Sequence, residues 1–482
     1  MALVLIGFMG AGKSTLARQM AQGQAVDTDA VLERELGEPI EAFFDREGEA
    51  AFRAREEEVV LAALGGGARV VALGGGAVLS DRVQAALTDH AVAWLQVSLD
   101  TAWERAEGAA RPLARDRETF AALHAERREV YQRLANAVVM DGATHTLGLL
   151  MGMEPGERRI VAVGGREDYL VDFGGGLASG RYEGDFVLSD ENVGPLHAPD
   201  AFVIPAGEEH KTLATAERVW TEMARRGVTR GGRLIAVGGG VVGDLGGFVA
   251  ATYQRGIPVL HVPTTLVAQV DSAYGGKTGV DLPEAKNYVG AYHQPQGVIV
   301  GASYLETLPA AERAAGYAEV VKTALIAGGR LWDRVRGGAV DEPDVIFDCA
   351  RTKLEIVAAD ERDGGLRQVL NLGHTVAHAI ETTAGYGTYR HGEAVGLGLL
   401  AALRLSGQDA LRDEVRDLLA TQDLPTRLEG VATADVVRTT RTDKKRIGDK
   451  VPFVLVDGPG RVTFGNTVGE SALASAVQEL AA

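Results

Sequence analysis

The chain has 482 residues, enough for two or three hydrophobic cores, and its 46% hydrophobic and 24% charged residues are those of an ordinary globular protein. A net charge of −17 argues against nucleic acid or an anionic membrane as the main partner. A single cysteine, Cys349, excludes an intramolecular disulfide, and no apolar run approaches the roughly 20 residues that span a bilayer. The opening MALVLIGFMG has no basic n-region, so we predict a first strand in place of a secretion signal, and a cytoplasmic protein.

Lysine is scarce in this chain, because arginine supplies 40 of the 49 basic residues. Lysine and arginine are not interchangeable, so a lysine that persists indicates a position that needs a compact, flexible ammonium group. We therefore expect the lysines to lie at functional positions. They are Lys13, Lys211, Lys277, Lys286, Lys322, Lys353, Lys444, Lys445 and Lys450.

The first stretch, LVLIGFMGAGKSTLARQMA, predicts a strand, a glycine-rich loop and a helix. Its Gly7-x-x-x-x-Gly12-Lys13-Ser14 spacing is that of a phosphate-binding loop, in which backbone N–H groups and a lysine hold phosphates. We predict that this loop binds ATP with Mg²⁺, and that Ser14 is a ligand of the Mg²⁺. The predicted nucleotide-binding residues are Gly10, Gly12, Lys13, Ser14 and Thr15.

Further candidate site residues follow the loop. In chain order they are Asp27 and Asp29 after a strand, Arg53 on a helix, the triplet Gly74 to Gly76, Arg111 in ARPLA and Arg127 in ERREVYQRLA. In this order they resemble shikimate kinase over residues 1 to about 145. The resemblance implies that Asp29 holds the acceptor hydroxyl and that Arg111 lies beside the transferring phosphate. It also implies that Arg53, Gly75, Gly76 and Arg127 bind shikimate.

The segment ERAEGAARPLA departs from the usual lid of that family. Two alternatives therefore stay open for this part of the chain. One is a kinase for another small metabolite, and the other is a nucleotide-binding appendage without catalytic activity.

The second part of the chain alternates strand-like segments with helices and becomes mainly helical from about residue 310, an α/β nucleotide-binding pattern. Gly238, Gly240 and Gly243 satisfy GxGxxG, but the acidic residue expected about 20 positions later is missing, so this is not a standard dinucleotide fingerprint.

The stretch LRQVLNLGHTVAHAIE, Leu366 to Glu381, predicts one buried helix with polar groups on a single face. Burying such groups is costly unless partners or a ligand satisfy them. Glutamate and histidine suit a catalytic Zn²⁺ with three protein ligands. From the residues alone, two sets remain open: Glu319 with His374 and His378, or Glu319 with His374 and His391.

Several motifs appear in order that resemble 3-dehydroquinate synthase over residues 158 to 482: PAGEExK, GGGVxGD, PTTLxAQVDS, GGKTGVD, GYAEVVK, NLGHTxxHAxE, RHGEAV and DKK. The resemblance implies that Glu319, His374 and His391 bind Zn²⁺ or Co²⁺, while His378 faces the substrate. It implies NAD⁺ contacts at Asp190, Asn192, Glu208, Lys211, Gly239, Gly240, Val241, Asp244, Thr264 and Thr265.

The same resemblance implies catalytic or substrate contacts at Asp271, Lys277, Lys286, Asn287, Lys322, Lys353, Arg367, Asn371, His378, Lys444 and Lys445. It also implies that Arg255 reaches across the interface of a homodimer formed by this half of the chain. The implied substrate is 3-deoxy-D-arabino-heptulosonate 7-phosphate, which is converted to 3-dehydroquinate through oxidation, loss of phosphate, reduction, ring opening and aldol closure. A metal-dependent alcohol dehydrogenase is the alternative for this half.

Taken together, we predict an α/β fused bifunctional enzyme of the shikimate pathway. A P-loop kinase domain with a parallel sheet and flanking helices occupies residues 1–150, followed by a linker at 151–157. An NAD-binding α/β subdomain follows at 158–310, and a mainly helical metal- and substrate-binding subdomain at 311–482.

Overall fold

The computed structural model describes residues 1–20, 23–106, 116–143, 147–164, 167–175, 184–283, 285–385, 387–440 and 451–481. The chain folds as two compact units, Met1–Gly174 and Gly175–Ala482. The α/β class predicted from the sequence is confirmed in both. Within the described ranges, no helix is both apolar enough and long enough to cross a membrane.

The first unit is built on a sheet whose strands are parallel except for the last pair. The phosphate-binding loop connects strand β1, which is buried along its whole length, to helix α1. The strands lie in the order β2-β3-β1-β4-β5-β6-β7. They are β1 (Leu3–Ile6), β2 (Ala25–Asp27), β3 (Val70–Ala72), β4 (Ala91–Leu95), β5 (Ala137–Val139), β6 (Arg158–Ala162) and β7 (Tyr169–Phe173). The helices are α1 (Lys13–Met20), α2 (Thr28–Leu36), α3 (Ile40–Glu47), α4 (Glu49–Gly65), α5 (Asp81–Leu87), α6 (Leu99–Ala106) and α7 (Arg117–Leu134).

The core of the first unit continues past its last long helix. Leu150 and Met153 are buried in the same cluster as Leu3 and Leu5 of the central strand. Strand β6 then pairs in parallel with β5, and its Val161 belongs to that cluster as well. The predicted linker, residues 151–157, thus lies inside the first unit and joins segments that pack on the same core.

The second unit has a five-stranded parallel sheet in the order β14-β11-β10-β8-β9. Its members are β8 (Phe186–Asp190), β9 (Phe202–Ile204), β10 (Leu234–Gly238), β11 (Val259–Pro263) and β14 (Gly297–Val300). Two antiparallel hairpins accompany it, β12 (Lys277–Leu282) with β13 (Ala285–Tyr292), and β15 (Pro452–Gly458) with β16 (Arg461–Thr467). The strands β10 and β11 are buried on both faces, as expected for the middle of a parallel sheet covered by helices.

The rest of the second unit is mainly helical. Its helices are α8 (Gly194–His197), α9 (Leu213–Arg225), α10 (Gly240–Thr252), α11 (Ala310–Ala327), α12 (Gly329–Arg336), α13 (Pro343–Ala359), α14 (His374–Ala384), α15 (His391–Leu405), α16 (Asp409–Ala420), α17 (Thr433–Thr440) and α18 (Glu470–Leu480).

The prediction of a single helix over Leu366–Glu381 was wrong. Residues Leu366–Asn371 form a 3-10 helix, and α14 begins only at His374. Gly373 between them has a left-handed backbone, with φ of 78°. A β-carbon at Gly373 would lie 2.9 Å from the backbone nitrogen of Leu399, so helix α15 leaves no room for a side chain there. The break therefore reflects the close packing of the two segments.

Candidate active sites

The phosphate-binding loop of the first unit turns sharply at its glycines, since Gly7, Gly10 and Gly12 all have positive φ. The ammonium group of Lys13 donates hydrogen bonds to the carbonyl oxygens of Gly7, at 2.8 Å, and Phe8, at 3.1 Å. Arg105 of helix α6 donates to the carbonyl oxygen of Gly10 at 2.8 Å. The loop is thus held from both sides, with its lysine beside the backbone groups that would surround a phosphate.

The glycine triplet after strand β3 makes room for charged side chains. A β-carbon at Gly74 would lie 2.6 Å from a carboxylate oxygen of Asp29 and 2.5 Å from one of Glu56. A β-carbon at Gly76 would overlap the guanidinium group of Arg53. Only glycine therefore fits at Gly74 and Gly76 with these side chains in place.

Two arginines converge behind the triplet. Arg127 is only 3% exposed, and its Nε has no hydrogen-bond partner among the described residues. Burial lowers the pKa of Arg127, and the nearby Arg53 lowers it further. Arg53 donates to Glu56 at 2.5 Å, and burial raises the pKa of that carboxyl even though Arg53 opposes the shift. Paired cations with a buried, unused donor form a pocket suited to a small carboxylate.

A cavity of about 2160 Å³ lies within the second unit. It is lined by every described residue that the sequence analysis assigned to NAD⁺, substrate or metal in this half, except Arg255. Those lining residues are Asp190, Asn192, Glu208, Lys211, Gly239, Gly240, Val241, Asp244, Thr264, Thr265, Asp271, Lys277, Lys286, Asn287, Glu319, Lys322, Lys353, Arg367, Asn371, His374, His378 and His391.

One end of the cavity lies at the turn from β10 into α10. Gly239 lets this turn approach the segment that follows β11, since a β-carbon there would lie 2.9 Å from the side chain of Thr265. Beside the turn, Lys211 is 3% exposed and contacts Glu208 at 2.5 Å and Asp244 at 3.3 Å. Burial lowers the pKa of Lys211, but the carboxylates of Asp244 and Glu208 outweigh burial and raise it. Burial also raises the pKa of Asp244 to about 6, against the influence of Lys211.

In the helical part of the cavity, Glu319, His374 and His391 each offer a ligand atom, and these atoms all lie within 4.8 Å of one another. Oε1 of Glu319 is 3.6 Å from Nε2 of His374 and 3.4 Å from Nε2 of His391. Among the described residues this is the one group with such geometry. The ring of His378 is near as well, with its centroid 5.5 Å from that of His374. A carboxylate and two imidazoles with neighbouring donor atoms fit a Zn²⁺ or Co²⁺ ion.

The charge of Glu319 acts strongly on its neighbours. Burial lowers the pKa of His391, but hydrogen bonds to Glu319 and Glu381 outweigh burial and raise it to about 10. The ring of His391 therefore lies where positive charge is stabilised. A divalent cation bound there would take the place of the proton on the ring.

Next to the candidate metal ligands lies a set of buried cations around one carboxylate. Asp271, in the π-helical turn Ala268–Ser272, accepts a hydrogen bond from Lys322 at 2.8 Å and is also bonded by Lys353. Burial raises the pKa of Asp271, but the two ammonium groups outweigh burial and hold it well below its usual range. Lys322 also contacts Oε2 of Glu319 at 2.5 Å, so these two ammonium groups face two carboxylates. A cation bound by Glu319 would offset one of those carboxylates and leave positive charge for a phosphate or carboxylate group of a ligand.

The β12–β13 hairpin brings two further lysines to the cavity. Lys277 contacts Asp363 at 2.5 Å, and Lys286 donates to Glu381 at 3.0 Å. Glu381 was not predicted from the sequence, although its spacing from His374 and His378, at steps of four and three residues, places it on the same helical face. That spacing was the signal that could have identified it.

One assigned residue lies away from the cavity, and three others cannot be compared with it. Arg255 is exposed and does not line the cavity, and its backbone has a positive φ of 71°. Arg111, Lys444 and Lys445 lie outside the described residues. Their roles stay predictions.

The fold and these two sites define a two-part enzyme, with a phosphotransferase unit first and a unit with a large cavity and candidate metal ligands second. Comparison with protein families matches residues 9–148 to shikimate kinase. It matches residues 201–315 and 316–446 to the N-terminal and C-terminal parts of 3-dehydroquinate synthase.

Known proteins agree with these matches. The chain is 41% identical over 318 residues to 3-dehydroquinate synthase of Acidithiobacillus ferrooxidans, which covers 61% of this chain and 87% of that protein. Its fold is similar to that of 2-epi-5-epi-valiolone synthase from Streptomyces hygroscopicus with NAD⁺ and Zn²⁺ bound, at a TM-score of 0.60 and 25% identity over 66% of this chain and 98% of that one. It is also similar to 2-deoxy-scyllo-inosose synthase, at a TM-score of 0.59 and 23% identity over 67% of this chain and 99% of that one.

The chain therefore belongs to the 3-dehydroquinate synthase family and carries a shikimate kinase domain ahead of its synthase part. The two activities predicted from the sequence, both of the shikimate pathway, are confirmed at this level.

Proposed function

We propose that the first unit transfers the terminal phosphate of ATP to a hydroxyl of shikimate, and that the second converts 3-deoxy-D-arabino-heptulosonate 7-phosphate to 3-dehydroquinate and phosphate. The observation that carries the proposal for the second unit is one shared cavity. Glu319, His374 and His391 line the same cavity as buried lysines and the glycine turn after β10.

In the kinase unit, we assign the phosphates of ATP to the backbone of Gly10 and Gly12 and to Lys13, Ser14 and Thr15. Ser14 would also bind the Mg²⁺, which neutralises charge on the transferring phosphate when bound. Asp29 lies where a carboxylate can hold the acceptor hydroxyl and take its proton. The buried donor of Arg127 supports its assignment, with Arg53, to the shikimate carboxylate and ring hydroxyls, which Gly75 and Gly76 allow to approach closely.

In the synthase unit, we assign NAD⁺ to the end of the cavity lined by Asp190, Asn192, Glu208, Lys211, Gly239, Gly240, Val241, Asp244, Thr264 and Thr265. When bound, NAD⁺ supplies the acceptor and donor of a hydride, and a Zn²⁺ or Co²⁺ ion polarises substrate oxygens. The close approach of Gly239 to Thr265 supports the site, because a nucleotide needs backbone N–H groups that no side chain covers.

The protein's own residues orient the phosphate and carboxylate of the substrate. Lys322 and Lys353 share Asp271, and Lys322 also contacts Glu319, so their positive charge becomes available to an anion when Glu319 binds the metal ion. Arg367 is 2% exposed and is fixed by the carbonyl oxygen of Gly275, at 2.9 Å. With these groups we place Lys277, Lys286, Asn287, Asn371, Lys444 and Lys445 around the substrate, and we give His378 a substrate role in place of a metal one.

Two features of the sites argue against the alternative functions. A metal-dependent alcohol dehydrogenase acting on a simple alcohol has no use for the four lysines at 277, 286, 322 and 353 in one cavity. A non-catalytic nucleotide-binding unit has no use for the acceptor pocket with its buried Arg127. For the oligomer, we propose a homodimer formed by the synthase half, in which the exposed Arg255 reaches the second copy.

Two assays on the full-length chain test these assignments. The first follows ATP consumption that depends on shikimate, in the native chain and in Lys13→Met. We expect Lys13→Met to lose at least 100-fold in turnover while the synthase rate is unchanged. Equal rates in the two proteins would favour the appendage. The second assay follows phosphate release from 3-deoxy-D-arabino-heptulosonate 7-phosphate, and a lack of release with NAD⁺ and Zn²⁺ or Co²⁺ present would reject the synthase assignment.

A further inference from the structure

Glu381 is a buried carboxylate to which neither assigned reaction gives a role. It lies on helix α14 and is only 4% exposed. It is seven residues after His374, so its side chain lies on the face of the helix that carries His374 and His378. A carboxylate this buried is stable only when charged or hydrogen-bonded partners satisfy it.

Its two oxygens are directed at two different functional groups. Oε1 accepts a hydrogen bond from Nζ of Lys286 at 3.0 Å, and Oε2 lies 3.4 Å from Nδ1 of His391. Each oxygen therefore has a nitrogen partner on a different element.

The contact with His391 determines which ring nitrogen is available to a metal ion. Nε2 of His391 faces Oε1 of Glu319 at 3.4 Å, on the side where the three candidate ligands meet. When Nδ1 donates its hydrogen to Glu381, the lone pair of the neutral ring is on Nε2. An outer carboxylate that fixes the tautomer in this way is the usual companion of a metal-bound histidine.

The contact with Lys286 connects a different element to the same carboxylate. Lys286 lies on strand β13 of the β12–β13 hairpin, whereas His391 begins helix α15. Glu381 therefore joins the hairpin, α14 and α15 at one point. Removing its charge would leave the Lys286 ammonium, which is largely shielded from solvent, without this carboxylate and would free the His391 ring to rotate.

We propose that Glu381 is a positioning residue that couples the metal site to the substrate-binding lysine of the hairpin, by holding His391 and Lys286 through its two oxygens. This inference rests on the proposed function in so far as His391 binds the metal ion and Lys286 contacts the substrate. It predicts that one isosteric change at Glu381 affects metal affinity and substrate binding together.

The test uses the full-length chain and Zn²⁺ as the probe. Zn²⁺ affinity is measured by competition with a chelator, and the KM for 3-deoxy-D-arabino-heptulosonate 7-phosphate is measured at saturating Zn²⁺. For Glu381→Gln, which keeps the size of the side chain, we expect Zn²⁺ affinity to fall 10- to 100-fold and KM to rise at least 5-fold. Glu381→Asp, which keeps the charge, should recover part of both losses.

Two further variants test the contact of Glu381 with Lys286 separately from its contact with His391. Lys286→Met should raise KM while Zn²⁺ affinity stays within 3-fold of the native value, because Glu381 still holds His391. In the double variant Glu381→Gln/Lys286→Met, the rise in KM should be smaller than the product of the two single effects, since the two residues act as one unit.

The outcomes are distinguishable. If Glu381→Gln keeps Zn²⁺ affinity and KM within 2-fold of native values while His391→Ala loses Zn²⁺, the positioning role is wrong and the metal assignment stands. The positioning role is also wrong if Glu381→Gln only lowers the melting temperature. If His391→Ala retains Zn²⁺ at native affinity, the metal assignment itself is wrong, and this proposal fails with it.

Discussion

Gly392 of helix α15 packs directly against the carbonyl oxygen of Ala315 of helix α11, and a β-carbon at Gly392 would overlap that oxygen. The contact brings together the two helices that carry His391 and Glu319. A second contact of this kind joins Gly398 to the backbone of Gly373, which directly precedes His374. The candidate metal ligands are therefore brought together by glycines that allow helix backbones to touch.

Gly392→Ala should separate these helices and weaken the metal site. Overpacking of this kind costs about 1–3 kcal/mol of folding free energy, and we expect Zn²⁺ affinity to fall at least 10-fold. The matched control is Gly396→Ala on the same helix, where a β-carbon would meet only side-chain atoms of Leu419 at 3.4 Å. Chelator competition on both variants checks this prediction, which fails if the two variants bind Zn²⁺ equally well.

Gly76→Ala should weaken shikimate binding selectively. The added β-carbon would displace the Arg53 guanidinium, and losing a charged hydrogen bond costs about 1.5–3 kcal/mol, or roughly 10- to 150-fold in KM. The KM for ATP should stay within about 2-fold, because the phosphate-binding loop is a separate segment. Gly65→Ala, at the open end of helix α4, is the control that should leave both constants unchanged.

Leu150→Ala should destabilise the kinase unit even though this residue lies beyond its last long helix. Leu150 is fully buried beside Leu3 and Leu5, and a leucine-to-alanine change in a core costs about 2–5 kcal/mol. Leu149→Ala, its exposed neighbour, should change stability by no more than about 0.5 kcal/mol. Calorimetry of the full-length chain would contradict the prediction if both variants unfolded at the native temperature.

Stability of the synthase unit should fall in acid because of His261. Burial, with a smaller contribution from His293, lowers the pKa of this ring to about 4, whereas an unfolded histidine has a pKa of about 6.5. The folded state therefore favours the neutral ring. The neutral ring stabilises the folded state fully above pH about 6.5. This stabilisation is lost as the pH falls toward 4, by up to roughly 3 kcal/mol.

His261→Gln removes the imidazole ring that takes up a proton in this range. The free energy of unfolding of this variant should therefore depend less steeply on pH between pH 4 and 6.5 than that of the native chain. The calorimetric transition to follow is the one that NAD⁺ shifts, because it belongs to the synthase unit. Equal pH dependence in the two proteins would show that His261 does not contribute.

The local parts of both sites could be predicted from the sequence. The phosphate-binding loop depends on a strand, a turn and a helix that are contiguous in the chain, so its spacing alone indicates the structure. The scarcity of lysine predicted that the lysines lie at functional positions, and the five described lysines of the second unit all line its cavity. These positions follow from the chemistry of single residues.

What depends on packing between distant segments could not be predicted. The helical pattern of Leu366–Glu381 continues through Gly373, and only the contact with helix α15 shows why the helix breaks there. The choice between His378 and His391 likewise depends on how α14 and α15 cross, which no spacing within one helix determines. The extension of the kinase core to Leu150, Met153 and Val161 depends on the pairing of β5 with β6.

We propose His391, and not His378, as the third metal ligand of the synthase site. The most direct measurement is the metal content of purified His391→Ala and His378→Ala, together with phosphate release from 3-deoxy-D-arabino-heptulosonate 7-phosphate. We predict that His391→Ala retains less than about a tenth of the native metal, while His378→Ala keeps its metal and loses at least 10-fold in turnover. Full metal in His391→Ala and an empty site in His378→Ala would contradict this ligand assignment.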